Sequence, residues 1–146
     1  MILVKTIEQF QENSIFFCDP IKNNIMNEGN FIRILYSTNN IILNGIYFLI
    51  TLNEINCEKY FNKFKCNFNI QLNKYIIDHI KIIEENLLKK YKINKNPNFK
   101  IYEQLKNGNI KIFNDLGNKP FQQFILKISG IWETNMNYGL TFKFII

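Results

Sequence analysis

The segment 72–91 constrains the fold most, because its apolar residues change from a strand-like alternation to a helical spacing. They recur at Leu72, Ile76, Ile80, Ile83 and Leu87, which places them along one side of a helix. An asparagine at 73 suits the N-cap, and lysines at 89, 90 and 92 suit the C-terminal end of the helix dipole. Asn-Lys-Asn-Pro at 94–97 then ends the pattern. We therefore predict one long helix over about 72–91.

Short segments on both sides of this helix are predicted to be β-strands. Before the helix they are 2–7, 14–18, 31–37, 41–52 (one or two strands) and 59–71, and after it they are 99–102, 110–113, 121–129 and 139–146. The alternation is clearest in 59–71, where Tyr60, Phe64, Cys66, Phe68 and Ile70 share a face. This order predicts an α+β fold with mostly antiparallel strands. One long helix among the strands is also how a five-stranded OB barrel is connected, so we expect an OB-like barrel.

The length and composition of the chain indicate one globular domain. Its 146 residues are the size of one domain, and no internal repeat or linker divides them. Hydrophobic residues make up 47% and aromatic residues 15%, which is enough apolar material for a sizeable core. There is no alanine, and asparagine plus isoleucine supply about a third of the residues, a bias that indicates an AT-rich genome. We predict a single domain over 1–146.

Charge and cysteine content bear on the partners and the compartment. The formal net charge of +6 favours nucleic acid or an anionic surface, although lysine-rich codon usage explains it equally well. Three cysteines without a Cys-x-x-Cys pair predict free thiols in a reducing compartment. The N-terminal MILVKTIEQF is unlike a secretory signal, and the most apolar stretch, 41–52, is too short to span a bilayer. We expect an intracellular protein with no membrane partner.

No pattern in the sequence points to catalysis. The single histidine, His79, falls in the predicted helix and is interpreted as a packing residue, because a zinc site or a triad needs partners that the sequence does not supply. Glu84 and Glu85 point in different directions around the helix and are expected on a solvated face. Phosphate-binding, dinucleotide-binding, nucleophile-elbow and zinc-protease motifs are absent. We predict no enzyme activity, no cofactor and no metal site.

Basic residues interleaved with aromatic ones are the remaining candidate for a functional surface. Single-strand binders combine cations that follow the phosphates with aromatic faces on which bases stack. Outward positions of the predicted strands carry Arg33, Phe61, Lys63, Lys65, Lys127 and Lys143, and Lys119 lies in a loop that lacks the glycine spacing of a phosphate cradle. Each cation taken alone is better explained as a solubilising surface charge. If the strands share one sheet face, together they predict a nucleic-acid interface.

The C-terminal segment 125–146 reads ILKISGIWETNMNYGLTFKFII. An apolar strand leads into Gly-Ile-Trp at 130–132, a polar loop, and Tyr-Gly-Leu-Thr-Phe-Lys at 138–143. This segment resembles the closing hairpin of the OB-fold-type single-stranded DNA-binding proteins of large nucleocytoplasmic DNA viruses. Cys-Asp-Pro at 18–20 and the predicted helix are similarly placed. The chain differs from that family in its single arginine and in ending on a strand, where many single-strand binders carry an acidic tail.

The resemblance implies non-specific binding of single-stranded DNA in viral DNA replication or repair, in the host cytoplasm or nucleus. Trp132 and Tyr138 would then contribute to binding, although taken alone Trp132 is better interpreted as a core anchor. RNA is the alternative ligand, and a homo-oligomer is compatible with this function. The alternative function is a viral structural or host-interaction protein on the same scaffold. A clustered basic face would favour nucleic acid, and a flat apolar patch without lysine would favour the alternative.

Overall fold

A computed structural model describes residues 4–22, 29–112 and 123–146 and has the α+β fold expected from the sequence, dominated by its sheet. The strands are β1 (Ile15–Phe17), β2 (Ile21–Lys22), β3 (Asn30–Ser37), β4 (Ile42–Asn44), β5 (Ile46–Thr51), β6 (Asn56–Tyr60), β7 (Lys63–Asn67), β8 (Asn96–Asn98), β9 (Asn109–Ile112), β10 (Gln123–Glu133) and β11 (Asn137–Ile145). The helices are α1 (Lys74–Lys90) and α2 (Lys100–Lys106), and 3-10 turns cover Ile7–Gln9 and Glu12–Ser14.

The described strands form one open sheet in the order β1-β3-β10-β11-β9-β7-β6. Pairing is antiparallel except where β11 runs parallel to β8 and β9, and where Lys5 makes an isolated parallel bridge to Phe48. The predicted strand 2–7 is therefore reduced, within its described part, to this one bridge followed by a 3-10 turn. The β10–β11 hairpin holds the centre of the sheet, and it is built from the segment 125–146.

A bulge divides β10 into two halves with different neighbours. The register with β11 shifts between Ile128 and Gly130, so one extra residue is accommodated in β10. The half before the bulge pairs with β5, and the half after it pairs with β3. The bend that a bulge introduces lets one long strand serve both parts of the sheet.

The core lies between one face of the sheet and α1. Inward-facing strand residues such as Ile32, Phe48, Leu126 and Leu140 have essentially no exposed surface. The apolar side of α1 packs into the same cluster, as the periodicity predicts. Tyr138 also faces this side, and its hydroxyl donates to the Leu88 carbonyl oxygen of α1 at 3.1 Å. We call the opposite side of the sheet the outer face.

The prediction of one strand over 59–71 is wrong, because the chain reverses at its beginning. Residues 56–67 form the β6–β7 hairpin, whose two-residue turn is Phe61-Asn62. Phe61 has φ +56°, in the left-handed region that glycine or asparagine normally supplies. No glycine therefore marks this turn in the sequence. The sequence pattern across the two strands of the hairpin therefore resembles that of one long alternating strand.

The prediction of a strand at 99–102 is also wrong, because α2 occupies this place. Ile101 and Leu105 lie one helical turn apart and are fully buried. The Glu84 side chain of α1 accepts hydrogen bonds from the backbone N–H groups of Ile101 (3.0 Å) and Tyr102 (2.9 Å), and so caps the new helix. The cap comes from a residue 17 positions earlier, so no local signal announces the helix. Glu84 is accordingly buried, contrary to the expectation of a solvated face.

The expectation of three free thiols is wrong for Cys57 and Cys66. They are cross-strand partners in the β6–β7 hairpin, with Cα atoms 4.0 Å apart, and they form a disulfide, while Cys18 is free. A two-residue turn makes this position a non-hydrogen-bonded pair, where side chains approach most closely.

In the part of the chain that the structure describes, no helix combines the length and the apolar character that crossing a membrane requires.

Candidate nucleic-acid interface

Three predicted cations and the tryptophan lie on the outer face of the central strands. Lys127 of β10 is the cross-strand partner of Lys143 in β11. Arg33 of β3 pairs with Gly130, two residues before Trp132. Paired residues point to the same side of a sheet, and every second residue of a strand shares that side. Arg33, Lys127, Trp132 and Lys143 therefore project from the same surface.

The bulge at Ser129 is what keeps these residues in phase. Lys127 and Trp132 are five positions apart, so in an unbroken strand they would point to opposite faces. The extra residue between Ile128 and Gly130 changes this parity, and Ile128 and Ile131 both remain buried. The outer face is consequently continuous from the Lys127–Lys143 pair to Trp132.

Two aromatic rings pack against glycines on this face. A Cβ atom placed on Gly130 would clash with the Ile32 carbonyl oxygen and would be 2.7 Å from Cζ of Phe31, and one on Gly139 would be 2.8 Å from Cζ2 of Trp132. Phe31 and Trp132 are themselves cross-strand partners. Glycine leaves room for each ring to rest close to the backbone, and both rings are half-buried, so part of each remains accessible on the outer face.

Cations lie beside the aromatic rings of the face. The Arg33 guanidinium carbon is 5.8 Å from the centre of the Phe31 ring, and its Nη1 donates to Asn44 Oδ1 at 2.7 Å. Lys127 Nζ is 5.6 Å from the ring centre of Tyr47, its partner in β5. Phe31 is half-buried, whereas Tyr47 is only 8% exposed, so of these two rings it is Phe31 that offers an accessible aromatic surface beside a cation. Proteins that bind single strands combine cations with aromatic rings in this way.

The outer face extends across β9, β7 and β6. Lys65 pairs with Lys111 of β9 and with Glu58 of β6, and Lys63 lies two residues along on the same side. The inward pairing of Phe144 with Ile112 fixes Lys143 and Lys111 on the same side of the sheet. Among outward positions of the described paired strands, Glu58 is the one acidic side chain. The face therefore has a basic surplus.

Phe61 does not lie on the strand face where the sequence places it, but at the tip of the β6–β7 hairpin. It is 80% exposed, and its ring centre is 4.7 Å from that of Tyr60. Lys63 Nζ is 5.7 Å from the Tyr60 ring centre. The tip thus carries two aromatic rings and a cation at the end of the outer face.

The other two predicted residues do not contribute to the described face. Tyr138 points into the core against α1, where burial raises the pKa of its phenol, so its assignment to the binding surface is wrong. It precedes Gly139, which faces outward, and strand alternation alone therefore turns it inward. Lys119 lies outside the described residues.

Phe31, Tyr47 and Lys111 join this face although the sequence did not single them out. Phe31 is two residues from Arg33 in the same strand, so strand alternation would have found it. Tyr47 and Lys111 reach the face through pairing between segments that are distant in sequence. No local pattern marks those two residues.

The titratable side chains that a catalytic site would have to bring together, such as His79 and Glu133, lie in separate places. The His79 ring packs against Tyr75 on α1, with centres 4.3 Å apart. Glu133 accepts from Asn30 (2.9 Å) and Lys95 (3.2 Å) at the end of β10. Within the described ranges, no group of histidine, cysteine and acidic side chains is arranged to hold a metal ion.

The chain matches none of the protein-family models, characterised proteins or solved structures with which it was compared. The features of this chain that bear on its function are therefore the composition and geometry of the outer face and the resemblance of segment 125–146.

Proposed function

We propose that this protein binds single-stranded DNA without sequence specificity through the outer face of its sheet. The observation that carries the proposal is the shared face of Arg33, Lys127 and Lys143 with the half-buried rings of Phe31 and Trp132. Cations along a surface attract the phosphate backbone by releasing condensed counterions. Aromatic faces accept any base, because every base has a π face, and stacking contributes about 1–3 kcal/mol per base.

An OB-like barrel and a role in viral DNA replication or repair are parts of the same proposal. The resemblance of segment 125–146 supports both, and the long helix placed between strands of one sheet supports the proposed fold. The placement of the cations on the sheet face that α1 leaves uncovered also fits this class of protein. RNA is the alternative ligand, because stacking and phosphate contacts alone do not distinguish the two sugars.

A protein-interaction role on the same scaffold is the second candidate. Exposed apolar side chains cluster in sequence at the start of α1, where Ile70, Leu72 and Tyr75 are 42%, 53% and 57% exposed. Such residues suit a protein contact better than a phosphate backbone. This contact would not require the charged outer face. Substitutions on the outer face should therefore impair nucleic-acid binding, and substitutions at the start of α1 should impair protein binding.

The test uses Trp132 as a built-in reporter, since it is the only tryptophan of the chain. Purified protein is titrated with oligo-dT while tryptophan emission and the anisotropy of a labelled oligomer are recorded at low and at moderate salt. We expect quenching of Trp132 and micromolar or tighter binding that weakens with salt. Duplex DNA of equal length is the control and should bind less tightly.

Two substitutions locate the binding surface. Phe31→Leu keeps an apolar side chain but removes the ring, and we expect it to weaken oligo-dT binding by about five- to 150-fold, the equivalent of one stacked base. Leu72→Ala, on the α1 side, is the matched control and should leave the affinity unchanged. Absence of oligo-dT binding by the wild-type protein at low salt would overturn the proposal and favour the protein-interaction role.

A further inference from the structure

A polar cavity lies at the β1 end of the sheet, away from the cations already described. Its volume is about 630 Å³, within the range of small-molecule sites. It opens between the 3-10 turn Glu12–Ser14 and the turn that joins β3 to β4. Its lining consists of Gln11, Asn13, Ser14, Phe16, Ser37, Thr38, Asn39 and Asn40.

The lining offers neutral hydrogen-bonding groups around one aromatic ring. The side-chain amides of Asn13, Asn39 and Asn40 make no hydrogen bond within the described ranges, so their donors and acceptors are available to a ligand. Phe16 is 54% exposed, an unusual degree for a phenylalanine in a strand. Among the described residues, no lysine, arginine, aspartate or glutamate lines the cavity. This composition suits a flat, uncharged ring with polar edges and does not suit a phosphate.

The cavity continues the outer face. Phe16 of β1 pairs with Leu35 of β3, which is two residues from Arg33 and therefore on the same side of the strand. Leu35 pairs in turn with Asn44, whose Oδ1 accepts the hydrogen bond from Arg33. A single strand of nucleic acid that follows the cations from Lys143 to Arg33 would therefore reach Phe16.

We propose that this cavity is a nucleobase-binding subsite at the end of the single-strand path, in which a base stacks on Phe16 and presents its edge to the asparagine amides. Asparagine and glutamine amides can pair with the donors and acceptors of a base edge. The subsite rests on the proposed function, because the cation-lined face is what brings a nucleic-acid strand to it. The subsite would add hydrogen bonds to base edges on a surface that otherwise binds phosphates through cations and stacks bases on aromatic rings.

The test compares oligo-dT with an abasic oligomer of equal length and backbone, using anisotropy at low salt. The variants are Phe16→Leu, which keeps an apolar strand residue, and Phe16→Tyr, which keeps the ring. Ile82→Ala is the control, because Ile82 is 53% exposed on α1, far from the sheet face. We expect Phe16→Leu to weaken oligo-dT binding by about fivefold or more, as for one lost stacked base. Its affinity for the abasic oligomer should stay at the wild-type value, and Phe16→Tyr should retain wild-type affinity for both.

The outcomes separate this subsite from the general function. Wild-type binding to oligo-dT with no loss in Phe16→Leu would overturn the base subsite and leave the proposed function intact. An equal loss for oligo-dT and the abasic oligomer would also overturn it, since the ring would then act on the backbone or on the fold. No binding of either oligomer by the wild-type protein would overturn both proposals.

Discussion

At the scale of single residues, two glycines determine what the outer face can present. Gly130 and Gly139 lie on neighbouring strands under the rings of Phe31 and Trp132. A side chain at Gly130 would clash with the Ile32 carbonyl oxygen and the Phe31 ring, and one at Gly139 would displace the Trp132 ring. The sequence shows both glycines but not their purpose, since a glycine in a strand equally well marks a bend.

Gly139→Ala tests the contact between glycine and ring. The added Cβ would lie 2.8 Å from Cζ2 of Trp132 and 3.0 Å from the Asn98 carbonyl oxygen, so the ring must move. We expect the free energy of unfolding to fall by about 1–3 kcal/mol, the usual cost of overpacking. Tryptophan emission should shift to longer wavelength as the ring becomes more hydrated. Thr141→Ala, on the same side of β11, is the control. An unchanged emission spectrum in Gly139→Ala would contradict the close contact between the Trp132 ring and Gly139.

Glu84 is a second residue whose environment determines its chemistry. Burial raises the pKa of its carboxyl group to about 7, although the N–H groups of Tyr102 and Ile101 lower it. In the unfolded chain the value is 4.5, so between pH 4.5 and 7 the folded state holds this proton more tightly. Stability from this group is therefore complete below pH 4.5 and is lost as the pH rises through 7.

Glu84→Gln should remove this part of the pH dependence. In the wild-type protein we expect the free energy of unfolding to fall by about 3 kcal/mol from this group as the pH rises through that window. Urea denaturation of both proteins across the window measures it as the difference between their stability curves. Glu85→Gln is the matched control, because Glu85 neighbours it on α1 and does not cap α2. Parallel curves for wild-type and Glu84→Gln would show that Glu84 stays ionised when buried.

At the scale of elements, periodicity predicted what is local and missed what depends on distant partners. The long helix and most strands were predictable because each has its own period over enough residues. The second helix was not, since its cap is Glu84 and its buried pair Ile101 and Leu105 spans one turn only. The β6–β7 hairpin was not, since Phe61 occupies a position where turn rules expect glycine.

The hairpin should depend on its disulfide for part of its stability. Cys57 and Cys66 are nine residues apart, and closing a loop of this size in the unfolded chain corresponds to about 2–3 kcal/mol. We expect dithiothreitol, or Cys57→Ala, to lower the free energy of unfolding by this amount in urea titrations. Cys18→Ser is the control, because Cys18 is free and its variant should respond to dithiothreitol as the wild type does. Alkylation of three thiols in the unreduced, unfolded protein would contradict the disulfide.

At the scale of the whole molecule, the basic surplus of the chain is distributed unevenly. Lys63, Lys65, Lys127 and Lys143 could each be placed on the solvent-exposed side of a strand from the sequence alone. Their convergence could not, because it depends on register: the β10–β11 hairpin pairs Lys127 with Lys143, and a bulge brings Arg33 into phase with both. Codon usage accounts for many lysines but not for an outer face on which Glu58 is the one acidic position of the strands that the structure describes.

The salt dependence of binding distinguishes a lysine that contacts phosphate from one that only adds charge. Each phosphate contact on a single strand contributes about 0.7 to the slope of log affinity against log salt. We expect Lys143→Gln to lower the steepness of that slope by about this amount and to weaken oligo-dT binding at low salt. Lys89→Gln is the matched control, because this substitution removes the same charge from the molecule. Lys89 is exposed on α1, which packs against the opposite side of the sheet. If both variants weakened binding equally and left the slope unchanged, the net charge of the molecule would account for binding, and the outer face would not be its site.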